Sequence, residues 1–103
     1  MSGSGFVAVL VIDLHFPEAE SLKSKRKELS SIKAQLNRRL GVAVSEVDHQ
    51  DLWQRARLTA ALTGGSLARL SSAADNVERW ILARWPEGVA VQRIVASVED
   101  LIA

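Results

Sequence analysis

Residues 6–16, FVAVLVIDLHF, constrain the fold more than any other stretch of the chain. β-Branched and aromatic side chains dominate the run and Pro17 follows it, so it reads as a strand. Both faces stay apolar until Asp13 and His15, which predicts a central place in a sheet. Such a strand needs neighbours on both sides and a layer to cover it. The remaining patterns supply both. From Ser21, apolar residues recur at Leu22, Leu29, Ile32, Leu36 and Leu40, predicting a helix capped by Ser21 and stopped at Gly41. VAVSEVD (42–48) and WQRARLTAALT (53–63) read as two strands, joined as a hairpin through residues 49–52. Gly64-Gly65 interrupt the pattern, and Ser66 caps a second helix with its stripe at Leu67, Leu70, Ala74, Val77 and Ile81. That helix stops before Pro86-Glu87-Gly88, a turn signal, and VAVQRIVASV (89–98) is the last strand.

The order β-α-β-β-α-β is the split βαβ pattern of a ferredoxin-like fold. The expectation is an α+β domain over residues 6–98: a four-stranded antiparallel sheet, strands one and three central, with two helices on one face. Residues 1–5 read as a disordered leader and 99–103 as a short tail.

Strand alternation then assigns faces. Leu10, Ile12, Leu14, Leu52, Ala56, Leu58, Ala60 and Leu62 are expected beneath the helices. Val7, Val9, Val11, Val42, Val44, Thr59 and Ala61 form an apolar half of the open face, and Asp13, His15, Glu46, Asp48, Trp53, Arg55 and Arg57 a charged half. A four-residue hairpin would set Asp48 opposite Trp53 and Glu46 opposite Arg55. An uncovered valine patch predicts a cover, either a second copy stacked sheet on sheet or the C-terminal tail.

Composition excludes several functions. There is no cysteine, which rules out disulfides and thiol catalysis. The run 6–12 is too short to span a bilayer, and no signal peptide is recognisable, so a cytoplasmic location is expected. Net charge is only +1, yet residues 21–40 hold Lys23, Lys25, Arg26, Lys27, Lys33, Arg38 and Arg39 against Glu28 alone. One element is strongly basic while the remainder is acidic.

Lys23, Lys25, Arg26 and Lys27 fall in the first turns of the helix, where cations oppose the dipole unless an anion is to be held there. Lys23, Lys27 and Arg38 share a stripe suited to a nucleic-acid backbone, with Arg55 and Arg57 as secondary contacts. Trp53 beside two arginines also suits base stacking, but strand one offers no outward aromatic and acids surround the arginines. His15, His49, Glu46, Asp48 and Asp51 could approach one another, but without metal-ligand spacing. Asp51 is read instead as forming an Asx-type turn or capping the hairpin through main-chain N–H groups. A metal-dependent hydrolase is therefore the weakest reading, and no metal, cofactor or catalytic residue is assigned. TGGS (63–66) lacks the lysine of a phosphate-binding loop. Trp80 and Trp85 are expected to seal the end of the core.

Ser21-Leu22-Lys23…Lys25-Arg26 and Glu46…Asp48…Asp51…Trp53…Arg55 together resemble the YlxP-like family of small bacterial proteins of unknown function, over about residues 6–98. The resemblance implies the same ferredoxin-like fold and a gene neighbourhood with translation initiation factor two and ribosome-binding factor A. Two expectations result. The first is a non-catalytic module that binds RNA or a ribosomal subunit through the basic helix. The second is a homodimeric interaction or small-anion-sensing module that uses the open sheet face.

Overall fold

The structure, a computed structural model, describes residues 3–85 and 87–103. The chain runs β1 (Phe6–His15), α1 (Leu22–Leu40), β2 (Ala43–Asp48), β3 (Arg55–Gly64), α2 (Leu67–Arg84), β4 (Val89–Ser97) and α3 (Val98–Ile102). The strands form one antiparallel sheet in the order β2-β3-β1-β4, with β1 and β3 central as expected. Met1, Ser2 and Pro86, which belong to the expected leader and turn, lie outside the described residues.

Alternation builds the core from one side of the sheet. Ala8, Leu10, Ile12 and Leu14 of β1 and Ala56, Leu58, Ala60 and Leu62 of β3 are buried against Leu29, Ile32 and Leu36 of α1 and Leu70, Ala74, Val77 and Ile81 of α2. Each large aliphatic side chain withdrawn from water there contributes about 1.5–3 kcal/mol. Both predicted caps form: Ser21 and Ser66 accept hydrogen bonds from the Ser24 and Arg69 N–H groups. Gly41 ends α1 in the left-handed region at φ 66°, where a β-carbon would be strained, and its N–H reaches Asn37 O. Phe16 meets Trp85 edge to face at 6.2 Å, so Trp85 packs against one end of the core as expected.

Four expectations change. Val42 is buried, Val44 packs against the core, and Glu46 lies opposite buried Leu58, so all three point toward the helices rather than the open face. The cause is α1's end: it delivers Val42 directly into the core, which fixes the parity of β2. An irregularity between Glu46 and Asp48 then returns Asp48 to the open face opposite Arg57. Leu52, expected beneath the helices, is 47% exposed because β3 begins only at Arg55 and residues 49–54 form a loop. Leu67 likewise leaves the core stripe and is exposed. Finally, the tail continues as α3, held at the sheet's end by the Val98 N–H to Gly5 O bond of 2.9 Å. Leu101 and Ile102 remain 65% and 73% exposed, so they do not cover the open face. Among the described residues, no helix is long and apolar enough to cross a membrane.

Candidate nucleic-acid interface

α1 opens with Ser21-Leu22-Lys23-Ser24-Lys25-Arg26-Lys27 and carries no acid in its first turn. Helical geometry separates these cations. Lys25 lies four residues before Leu29 and seven before Ile32, hence on the buried stripe, and its exposure is 0%. Lys23, Arg26, Lys27, Arg38 and Arg39 are exposed, and among the described residues none of them makes an ion pair.

Lys25 is therefore not a phosphate ligand, contrary to the sequence expectation. A buried ammonium must be met by acceptors. Lys25 Nζ donates to the main-chain oxygens of His49 (2.6 Å) and Leu52 (2.5 Å), and Glu46 Oε2 stands 3.3 Å away. That carboxylate oxygen is buried without a hydrogen bond, so charge attraction is its compensation. His49 adopts φ 62°, a left-handed conformation for a non-glycine residue, within the loop whose carbonyls Lys25 holds. The two sequence signatures, SLKSKR and EVDHQDLW, are thus the two halves of one clasp joining α1 to the β2–β3 loop.

The clasp governs where Trp53 goes. It lies in the loop rather than on the sheet, and with Leu52 and Val47 it stands roughly half exposed. Asp48, not Asp51, accepts a loop hydrogen bond, from the His49 N–H at 2.7 Å. Trp53 therefore does not face Asp48, nor Glu46 Arg55, as the four-residue hairpin had predicted.

On the open face, β1 and β3 set Asp13 opposite Arg57 and His15 opposite Arg55. Arg57 Nε donates to Asp13 Oδ1 at 2.8 Å. That hydrogen bond and the Asp13 charge raise the Arg57 guanidinium above its usual pKa, with a further contribution from Asp48. Arg57 is occupied by this pair. Arg55 is exposed and makes no ion pair among the described residues, beside a depression of about 530 Å³ bordered by Asp13, His15 and Val89. No three His, Asp or Glu side chains among the described residues are grouped to hold a metal ion.

A separate cleft of about 440 Å³ opens between the β1–α1 connection and the end of α2, lined by Phe16 and Trp85. Glu18, Glu28 and Glu87 edge it, while Arg84 lies over the Trp80 and Trp85 rings at 5.6 and 5.2 Å. Its acidic rim disfavours phosphate. Exposed cations that make no ion pair among the described residues stand on the outer side of α1, at Arg55 and, on α2, at Arg69, Arg79 and Arg84.

These features define a helix-backed antiparallel α+β domain with one two-sided basic helix. The chain belongs to the family described as "Protein of unknown function (DUF503)", whose model matches residues 7–102. No curated protein matches the sequence.

Proposed function

We propose that this protein is a non-catalytic, ferredoxin-like binding module of the YlxP-like type, docking on structured RNA or a ribosomal subunit in the cytoplasm. The observation that carries the reading is the division of α1's cations. Lys23, Arg26, Lys27 and Arg38 stay in water without acidic partners among the described residues, although the helix dipole opposes those in its first turns. A polyanion relieves both costs, and release of its counterions drives the association. A role in translation or ribosome maturation follows from the family resemblance.

The test is binding of the purified protein to structured RNA and to ribosomal subunits across a salt series. The triple variant Lys23→Glu, Lys27→Glu, Arg38→Glu is expected to keep its fold, lose affinity, and lose about one unit of log–log salt slope per contact removed. Unaltered binding by this variant removes the reading.

A second reading uses the open face, where Arg55, opposite His15, makes no ion pair among the described residues and α3 leaves Val7, Val9 and Val11 uncovered. Here the face senses a small anion or meets a second copy. Titration with inorganic phosphate, followed through His15 ring resonances, tests the anion arm; unchanged resonances remove it.

A further inference from the structure

The two edges of the sheet differ. β2 is six residues long, is broken between Glu46 and Asp48, and is tied to α1 through Lys25. These are devices that keep an edge from pairing with another chain. β4 runs nine residues with no irregularity in its pairing to β1.

Its unpaired groups can be located. His15 N–H donates to Gly88 O at 2.8 Å and Val98 N–H to Gly5 O at 2.9 Å, which sets one parity along the β1–β4 ladder. In an antiparallel ladder the hydrogen-bonded positions alternate. Ala90, Gln92, Ile94 and Ala96 therefore turn their main-chain groups toward β1. Val89, Val91, Arg93, Val95 and Ser97 turn theirs outward, to no strand among the described residues.

The side chains along this edge offer no electrostatic protection. Arg93 is its sole charged residue, and its guanidinium is folded back onto Asp75 and Glu78 of α2, both at 2.9 Å. Ile94 on the open face is 60% exposed, and Val95 on the helix face 38%.

We infer that β4 is the interface with a second copy of this chain, the two edges pairing antiparallel about a two-fold axis at Ile94. This goes beyond the RNA reading, which uses α1, and differs from stacking of the open faces. Centring the axis at Arg93 would set two guanidinium groups across from each other. At Ile94, the most exposed aliphatic side chain of the strand meets its own copy in a non-hydrogen-bonded pair, where side chains approach closest. Val95 then faces Arg93 of the other copy, and their outward N–H and C=O groups bond. Because β2 is protected, pairing closes at two copies, and a continuous eight-stranded sheet results.

Sedimentation equilibrium of the full chain at about 100 µM, well above the dissociation constant expected of a stable interface of standard size, reads the state directly. A dimer is expected. Val95→Pro removes only an outward N–H, which the monomer does not use, and is expected to halve the mass. Ile94→Lys sets like charges across the axis and is expected to do the same, and circular dichroism confirms that both variants fold. Thr59→Lys, on the open face of β3, is expected to leave the dimer intact. A monomeric wild-type chain overturns the inference. So does a dimer that survives both β4 substitutions, or one that only Thr59→Lys dissolves.

Discussion

Lys25 and its neighbours Lys23 and Lys27 stand within one turn of the same helix and meet opposite environments. Lys25 is withdrawn from water and held by two carbonyls and a carboxylate, whereas Lys23 and Lys27 are exposed and make no ion pair among the described residues. The basic character of the segment is therefore two properties rather than one. A single charge is built into the fold, where it joins α1 to the β2–β3 loop, and the others remain for a partner. Counting charges along the chain merges them; following the helix period separates them.

Substitutions on the two sides should consequently act on different quantities. The largest effect on stability is expected from Lys25→Ala, which leaves the buried Glu46 oxygen and two carbonyls without their cation. Loss of one partner of a buried ion pair costs about 3–5 kcal/mol, measurable by urea unfolding. Glu46→Gln keeps the carbonyl contacts and removes the charge attraction, and is expected to cost about 1–3 kcal/mol. A loss as large as that of Lys25→Ala would make the ion pair, not the carbonyls, the main element of the clasp.

On the outer side the sign reverses. Lys23→Glu places an acid in a first turn that has none, and is expected to raise stability by about 0.3–1 kcal/mol in a thermal scan while weakening RNA binding. Destabilisation by this variant would mean that Lys23 has a structural role.

The smallest effect lies at the opposite end of the sheet and serves as the control. The main-chain bond from Ser4 N–H to Glu99 lowers the carboxyl's pKa below its ordinary 4.5. A group whose pKa is depressed by folding stabilises above its unfolded value, and the contribution is lost as pH falls through the folded one. The protection of the Ser4 amide against hydrogen exchange, relative to its intrinsic rate at each pH, should therefore fall on acidification below about pH 4.5, and Glu99→Gln should remove that dependence.

The run of residues 6–16, apolar on both faces as far as Ile12, and the 3.6-residue stripes of both helices specified the sheet's centre and the layer that covers it. Ser21, Ser66 and Gly41 specified the helix ends, because capping chemistry is local. What escaped depends on contacts distant in sequence. The parity of β2 follows from where α1 delivers Val42, and the irregularity between Glu46 and Asp48 leaves no mark in a six-residue alternation. Lys25 carried a usable signal, since it continues the stripe of Leu29, Ile32 and Leu36. Its acceptors, however, are main-chain oxygens twenty-four and twenty-seven residues away, which no side-chain pattern encodes. Trp53 left the sheet for the same reason: that clasp holds the loop it sits in. The folding of Arg93 back onto Asp75 and Glu78 likewise joins elements that alternation treats separately.

The division of α1's cations is tested most directly by amine acetylation read residue by residue in a mass spectrometer, with and without structured RNA. In the free protein Lys23 and Lys27 should label quickly and Lys25 not at all, and RNA should slow Lys23 and Lys27 alone. Labelling of Lys25 at the rate of Lys27, or rates at Lys23 and Lys27 that ignore the RNA, would contradict the account.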